Sequence, residues 1–354
     1  MPDFNSETLQ AFAKLVVTRM GSGEEEAEEV ADHLVRANLG GHDSHGVGML
    51  PTYVRLLGDG LLVPNQKLRT VVDFGALLVV DAGRGFGQRM AAEAVRAAIA
   101  RAKQEGASVL GLRNSAHIGR IGTYGELAAS AGMAFIGFVN VADHHPLQAP
   151  YACRDAQLGT NPFCATIPGE QDAPVVLDMA TTAIAFGKAR VAHNKGVPVP
   201  EGTLIDGEGR PTTDPTGIVR DQVGALLSFG LHKGSGLAVM CKLLGGVLTG
   251  GQRADEPQHN GTVNSMLAVL IDVARIGDPS SIRAGVTTAT AHIKGSRVAP
   301  AFEEILLPGD PERRQADSRR QRGIPIDETS WSEICDAARK VGASDAEIGR
   351  ALAG

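Results

Sequence analysis

The sequence predicts a folded α/β protein that opens with a helical hairpin. Apolar residues recur at helical spacing over residues 9–20 and again over 27–35, and glycines follow each stretch. From about residue 70, short apolar runs typical of strands alternate with longer helical patterns. Hydrophobic residues make up 43% of the 354-residue chain, which is enough to build a large buried interior.

The remaining elements follow from the same periodicities. A Gly-rich turn at 83–87 separates the first predicted strand from an Ala-rich helix. The pattern predicts strands at 77–80, 107–112, 134–140, 163–167, 175–178 and 266–273, helices ending near 103 and covering 123–131 and 235–248, and a hairpin loop within 202–215. Capping-box spacings at Ser22/Glu25, Ser330/Glu333 and Ser344/Glu347 predict three further helix starts.

Composition excludes several classes of protein. The 34 basic and 40 acidic side chains give a net charge of −6, which disfavours a nucleic-acid or anionic-membrane partner. The four cysteines form no C-x-x-C pair, so neither a disulfide scaffold nor a cysteine zinc site is expected, and reduced thiols fit a cytoplasmic protein. The first residues carry acids rather than an apolar run, and no apolar segment reaches 18 residues, so we expect neither a signal peptide nor a membrane span.

Two histidine motifs are candidates for acid/base chemistry. His45 lies in the segment GHDSHG at 41–46, just past a predicted helix end. A metal bound by His42 and His45 is disfavoured because no acid or cysteine stands at ligand spacing, and an ordinary hydrogen-bonded turn remains an alternative. His117 lies in NSAHIGRIGTYG at 114–125, between a predicted strand and a predicted helix, and a purely structural histidine is equally open there.

Several glycine-rich turns could approach a phosphate. In the 114–125 segment Arg120 could add a charged contact, but the spacing G-x-x-G-x-x-G does not match the Rossmann fingerprint. A second anion-binding arrangement is HKGSG at 232–236, where a lysine stands at a glycine-rich helix start. GTNP at 159–162 and LLPGD at 306–310 are further turns, the last of which also reads as a type II turn. Asp178 ends a predicted strand, where an Asp often holds a ribose hydroxyl or a turn amide. The arginine-rich run at 313–322 is typical of a solvated helix face. Neither a P-loop nor a G-x-S-x-G elbow is present.

Acid/base histidines together with several backbone anion sites favour hydride transfer. Such a reaction needs a proton donor at the carbonyl oxygen and donors that neutralise the cofactor pyrophosphate. From the residues alone, a dehydrogenase is therefore the favoured class.

At these residues the chain resembles the malate/L-lactate dehydrogenase type 2 family, and its motifs are most similar to the hydroxycarboxylate dehydrogenase B branch. The motifs that carry the resemblance are DSHGVGMLPTYV from Asp43, NSAHIGRIG from Asn114, GTNPF from Gly159, LDMAT from Leu177, HKGSGL from His232 and LLPGD from Leu306. The resemblance implies NAD- or NADP-dependent interconversion of 2-oxo and 2-hydroxy acids by a homodimer with active sites near the subunit interface.

The resemblance also implies a non-Rossmann, L-sulfolactate dehydrogenase-like fold with three layers. Helices flank a mixed, largely antiparallel sheet, and a helical lobe is added. We expect a helical segment at 1–70 to pack with C-terminal helices at 311–354. The α/β cofactor-binding and catalytic core at 71–310 is expected to form discontinuous lobes.

Site residues follow from the resemblance position by position. His45 matches a proton donor beside the nicotinamide, with Ser44 next to it, and His117 matches a second active-site histidine that some members use as acid/base. The positions matching cofactor contacts, besides His45, are Gly119, Arg120, Ile121, Val176, Leu177, Asp178, Met179, Ala180, His232, Lys233, Gly234, Pro308, Gly309 and Asp310. Met49, Tyr53 and Arg190 are expected at the substrate, and no metal is expected.

The chain departs from the family pattern at Met49, where much of the family has an arginine expected to clamp the substrate carboxylate. Arg55, Arg120 and Arg190 are candidates for that role here. Because methionine is apolar and flexible, we expect a pocket for a bulky or aromatic 2-oxo acid. An NAD(P)H-dependent reductase of cyclic imino acids, a malate-, L-lactate- or ureidoglycolate-type dehydrogenase, and a catalytically silent binding protein are the alternatives.

Overall fold

The computed structural model describes residues 3–251 and 259–353. Its strands are β1 (Asp3–Phe4), β2 (Arg69–Phe74), β3 (Leu77–Asp81), β4 (Ala107–Ser115), β5 (Met133–Ala142), β6 (Phe163–Ile167), β7 (Val175–Met179), β8 (Leu204–Ile205), β9 (Pro211–Thr212), β10 (Ala225–Leu226), β11 (Val263–Asp272) and β12 (Ile324–Pro325). Its α-helices are α1 (Ser6–Arg19), α2 (Glu24–Leu39), α3 (Leu50–Gly58), α4 (Gly87–Glu105), α5 (Gly122–Ser130), α6 (Phe186–Lys195), α7 (His232–Met240), α8 (Val273–Ile276), α9 (Pro279–Lys294), α10 (Asp310–Arg322), α11 (Glu328–Lys340) and α12 (Asp345–Ala353).

A seven-stranded sheet in the order β2-β3-β4-β11-β5-β6-β7 forms the centre of the fold. Only the β3–β4 pair is parallel; the five other neighbouring pairs are antiparallel. The prediction of a mixed, largely antiparallel sheet is confirmed. A parallel pair needs a crossover connection, and α4 provides it between β3 and β4.

Helices cover both faces of this sheet. Leu110 and Leu112 point into a core shared with α4 and α5. Between them Gly111 faces Thr249, because successive residues of a strand point to opposite faces. Thr249 ends a π-helical segment, Cys241–Leu248, that continues α7 across β5 and β11. The three layers are therefore α4 and α5, the sheet, and the α7 segment.

A second hydrophobic core joins helices from the two ends of the chain. It combines apolar side chains of α1, α2 and α3 with Ile334 of α11 and Ile348 of α12. β1 pairs with β12, which ties the N-terminal segment to the C-terminal one. A smaller unit contains α6 and the three-stranded sheet β10-β8-β9, which have their own apolar cluster around Ala189 and Leu226.

Some local predictions are confirmed and others are wrong. Ser344 and Glu347 form the predicted capping box. Ser22 does not cap α2, because the helix begins after Gly23 and the Ser22 hydroxyl donates to Glu26 instead. Ser330 lies inside α11, which Asp327 caps. Helix α9 was not predicted, and none of its residues is buried.

No helix in the described ranges is long and apolar enough to cross a membrane.

Candidate active site

A short turn after α2 places His45. The Asn38 side chain, at the end of α2, contacts this turn at two points. Its Nδ2 donates to the Asp43 carboxylate at 2.7 Å, and its Oδ1 accepts from the Val47 N–H at 2.9 Å. Arg319 of α10 adds a bidentate ion pair to Asp43, with Nη1 and Nη2 at 2.6 and 3.0 Å from the two carboxylate oxygens. The turn is therefore fixed by the helices on both sides of it.

His117 follows the end of β4 and is buried against the start of α4. A Cβ atom on Gly87 would lie 2.3 Å from the carbonyl oxygens of both Ala116 and His117, so only glycine permits this approach. The Asn264 side chain of β11 accepts from the Ile118 N–H at 2.9 Å. These contacts fix the backbone on both sides of the imidazole.

The two histidines meet and continue a chain of hydrogen bonds into the interior. His45 Nδ1 lies 3.2 Å from His117 Nε2, and the ring planes are within 11° of parallel, with centroids 5.2 Å apart. His117 Nδ1 lies 2.8 Å from the Tyr53 hydroxyl. The Gln88 amide donates to the same hydroxyl at 2.5 Å. Tyr53 and Gln88 are almost inaccessible, whereas His45 is partly exposed, so His45 forms the open end of the chain.

Burial keeps both imidazoles neutral near pH 7. It lowers the pKa of His45 to about 4, and the charges of His42 and Arg120 act in the same direction. Burial lowers the pKa of His117 to about 3, with further contributions from His45 and His144. Burial raises the pKa of Tyr53, so this side chain stays a phenol.

Arg120 lies next to this pair, in the turn that leads into α5. The Arg120 N–H donates to His33 Nε2 at 3.1 Å, and its guanidinium contacts Glu126 at 2.8 Å. Its Nε lies 3.9 Å from the Asp178 carboxylate and makes no hydrogen bond among the described residues. Burial opposes the charge of Arg120, but Glu126 and Asp178 raise its pKa overall.

The strand end at Asp178 and the turn at 308–310 lie beside Arg120. The Gly122 N–H donates to Asp178 at 2.7 Å, which joins α5 to β7. Burial raises the pKa of Asp178, against the opposing charge of Arg120. The Val176 N–H donates to the Pro308 carbonyl at 3.4 Å. Gly309 has φ of +90° and the following N–H bonds back to Leu307 at 3.0 Å, so the predicted type II turn is confirmed.

A cavity of about 570 Å³ opens at this junction. The predicted residues Arg120, Val176 and Gly309 line it, together with parts of α2, α5, α9 and α10. Arginines dominate its polar lining: Arg36, Arg120, Arg283, Arg313 and Arg320. A cavity of this size with cationic walls fits part of a dinucleotide and its phosphates.

Other predicted site residues lie elsewhere. His232, Lys233 and Gly234 begin α7, where the His232 ring contacts Tyr151, and no hydrogen bond, ion pair or ring contact within the described ranges joins them to Arg120 or Asp178. Met49 is partly buried and packs against the core of the helical lobe.

The N-terminus of α6 lies against the His45 turn. A Cβ on Gly187 would be 3.1 Å from the Cβ of Ser44, so helix and turn are in close contact. Arg190 is exposed one turn further along the same helix. The other candidate anchors are engaged: Arg55 pairs with Asp59 at 3.0 Å, and Arg120 with Glu126.

Sequence reasoning missed the side chains that support the histidines. Gln88, His33, Asn38 and Asn264 are all buried and all contact the motif backbones or Tyr53. Their signal in the sequence is weak, because a single polar residue on an apolar helix or strand does not reveal what it faces. Among the described residues, no group of three or more His, Cys, Asp or Glu side chains could hold a metal ion.

Comparison with known proteins gives a consistent result. A family model described as malate/L-lactate dehydrogenase matches residues 4–335. The chain is 45% identical to hydroxycarboxylate dehydrogenase B of Escherichia coli K12 over 96% of its length and 94% of the relative's. Among solved structures, a putative malate/lactate dehydrogenase from E. coli superposes with a TM-score of 0.95 at 42% identity, covering 100% of both chains. The sulfolactate dehydrogenase of Methanocaldococcus jannaschii does so with a TM-score of 0.86 at 31% identity, covering 99% of both. The chain belongs to the malate/L-lactate dehydrogenase family.

Proposed function

We propose that the protein is an oxidoreductase that transfers a hydride between NAD(P)H and a 2-oxo acid, or from the 2-hydroxy acid in the reverse direction. The observation that carries this proposal is the hydrogen-bonded His45–His117 pair, together with an arginine-lined cavity to which the same turn contributes Arg120. The names of the relatives, hydroxycarboxylate and sulfolactate dehydrogenase, support the same reaction class.

His45 is proposed as the group that exchanges the proton with the substrate. Both nitrogens of His117 are engaged, Nδ1 by Tyr53 and Nε2 by His45. In contrast, Nε2 of His45 has no hydrogen-bond partner among the described residues and belongs to a partly exposed side chain. A bound nicotinamide would supply or accept the hydride. His45 Nε2 would give its proton to the carbonyl oxygen in reduction and take it back in oxidation.

The cofactor is proposed to occupy the cavity that Arg120 lines. Arg120 and the N–H groups of its turn would neutralise phosphate, and the 176–180 and 308–310 segments would contact the rest of the dinucleotide. The buried Arg120 Nε, which makes no hydrogen bond among the described residues, is a donor that such an anion would satisfy. His232, Lys233 and Gly234 remain proposed contacts on the strength of their motif.

The charge distribution favours NADP(H) over NAD(H). Four of the five cavity arginines contact carboxylates: Arg36 with Glu126, Arg120 with Glu126, Arg313 with Asp310 and Arg320 with Asp317. Arg283 of α9 has no acidic partner within the described ranges, and its Nε is buried without a hydrogen bond. A 2′-phosphate would supply the anion that Arg283 lacks.

Arg190 is the proposed anchor for the substrate carboxylate. It follows Gly187 by three residues on α6, so both lie on one face of the helix. Because Gly187 contacts Ser44, that face is turned toward the His45 turn. The preference for a bulky or aromatic 2-oxo acid remains part of the proposal, since the carboxylate clamp expected at Met49 is absent.

We also propose a homodimer in the cytoplasm. Large apolar side chains of α8, of the segment after α9 and of the α7 segment are exposed, including Ile276, Phe302 and Leu248 at 74, 71 and 66%. A second copy would bury such surface, and light scattering of the purified protein measures whether it does.

A substrate screen tests the function directly. NADH and NADPH oxidation would be followed with pyruvate, oxaloacetate, arylpyruvates and a cyclic imino acid. Turnover of 2-oxo acids supports the proposal, and turnover of the imino acid alone would replace it with the reductase alternative. Failure of every substrate together with no change in NADH or NADPH fluorescence on titration would support a silent binding protein.

A further inference from the structure

Gln88 lies at the inner end of the hydrogen-bond chain, and nothing in the proposed reaction yet uses it. It is 1% exposed, in the first turn of α4, and its amide nitrogen lies 2.5 Å from the Tyr53 hydroxyl. Its carbonyl oxygen is buried and has no hydrogen-bond partner among the described residues. Burying the oxygen of a carboxamide without a hydrogen bond lowers the stability of the fold, so the orientation of the Gln88 side chain needs a physical explanation.

The positions of the protons in the neutral pair explain why Gln88 presents its nitrogen to Tyr53. The Tyr53 hydroxyl accepts from the Gln88 amide, so its own proton goes to His117 Nδ1. His117 then carries its proton on Nε2 and donates to His45 Nδ1. His45 must therefore carry its proton on Nε2, the open end of the chain.

The count changes when the pair gains a proton. The four ring nitrogens then carry three protons in total. The hydrogen bond between His45 Nδ1 and His117 Nε2 needs a proton on one of these two nitrogens and none on the other. The two outer nitrogens, His117 Nδ1 and His45 Nε2, are therefore both protonated. Tyr53 must now accept from His117, and its hydroxyl can donate only to an acceptor at Gln88.

We propose that Gln88 is a positioning residue that sets the proton affinity of the His45–His117 pair by turning its carboxamide. It presents nitrogen to Tyr53 when the pair is neutral and oxygen when the pair holds the proton used in reduction. This inference rests on the proposed function for the catalytic role of that proton. In the reductive step the His45 Nε2–H bond breaks and the substrate O–H bond forms, and water returns the proton to the pair.

Other ionisable groups surround the pair and remain unchanged in the test variants. Arg120 and His42 act on His45, and His144 acts on His117. His33, on α2, is electrostatically coupled to both histidines, and the Tyr124 phenol to Tyr53. Differences between Gln88 variants therefore report the change at Gln88.

The first experiment measures kcat for reduction against pH in Gln88→Met and Gln88→Glu. Methionine removes both ends of the carboxamide. The neutral pair still has His117 Nδ1 to accept the Tyr53 proton, whereas the protonated pair leaves the Tyr53 hydroxyl without an acceptor, so the pKa above which kcat falls should decrease by about one unit, a tenfold loss of proton affinity. Glutamate can still accept from Tyr53, so its pKa should equal or exceed that of the wild type. Ser108→Ala is the matched control. Ser108 of β4 is buried, and its hydroxyl donates at 2.8 Å to the carbonyl of Ala98, which lies in α4 like Gln88 but away from the histidine pair.

A second readout does not depend on activity. Histidine ¹⁵N shifts in the free protein at pH 8 should show His117 protonated on Nε2 in the wild type and on Nδ1 in Gln88→Glu. In a Tyr53→Phe background, Gln88→Met should cause no further change in the pH profile. An unaltered tautomer in Gln88→Glu, or a Gln88→Met profile that matches the wild type or the Ser108→Ala control, would overturn the proposal even if the dehydrogenase function holds.

Discussion

Acid should destabilise the folded protein through the histidine pair. The pKa of His45 falls from 6.5 to about 4 on folding, and that of His117 to about 3. The unfolded chain therefore binds more protons than the folded one below pH 6.5, and stability decreases as the pH falls toward the folded values. At pH 5, which is about 1.5 units below the unfolded pKa, each histidine that stays neutral on folding lowers the free energy of unfolding by about 2 kcal/mol. The pair therefore lowers it by about 4 kcal/mol.

The measurement is urea unfolding at pH 7 and pH 5 for the wild type, His45→Ala and His292→Ala. Trp331, the single tryptophan, packs on Phe4 and Phe12 with ring centroids 4.2 and 5.1 Å apart, so its fluorescence reports the helical lobe. Circular dichroism reports the whole chain, and coincident midpoints establish a two-state transition. We expect the free energy lost between pH 7 and pH 5 to shrink by about 2 kcal/mol in His45→Ala. Exposed His292 is the matched control and should leave the loss unchanged. If His45→Ala lost as much unfolding free energy between pH 7 and pH 5 as the wild type, His45 would not be held neutral in the folded protein.

Three further predictions concern the reaction. His45→Ala should lower kcat by ~10²–10⁴ with NADH binding retained, as fluorescence titration measures, and comparison with His117→Ala assigns the proton donor; full turnover in His45→Ala would remove it from the mechanism. Arg283→Ala should raise KM for NADPH by roughly tenfold or more while leaving KM for NADH within about twofold, and equal effects on both would exclude a 2′-phosphate contact. Arg190→Met should raise KM for the 2-oxo acid by about tenfold or more without weakening cofactor binding, whereas an unchanged KM would place the carboxylate anchor elsewhere.

The order of strands and helices could be predicted largely from periodicity. The runs at 134–140 and 163–167 are strands because their apolar side chains fill the sheet, and the alternation after residue 70 produces the layered core. Helix α9 was missed although Asp278 caps it and Pro279 begins it, which are ordinary signals of a helix start. The antiparallel character of the sheet came from the family resemblance, since strand direction depends on connections that periodicity does not encode.

The parts of the candidate site that could be predicted are those in which the residue types within one motif already indicate the chemistry. His45 and His117 stand out because an imidazole can exchange a proton near neutral pH, and each lies in a glycine-containing segment between predicted elements. Their contact was not predictable, since 72 residues separate them and their meeting depends on how α4 packs against the 116–118 backbone. Gln88 was hidden for the same reason, because an isolated glutamine in an Ala-rich helix looks like a solvent-facing residue until Tyr53 is placed beside it.

The neutral state of the pair constrains how the proton for reduction can arrive. Near pH 7 the free protein holds no extra proton on His45 or His117, because burial has lowered both pKa values below 5. A 2-oxo acid carries a carboxylate, and a negative charge near an imidazole raises its pKa. Binding of the substrate would therefore favour protonation of the pair at the moment when the proton is required. A neutral pair in the free protein then becomes an advantage, because the charged form is reached only when an anionic substrate is present to use it.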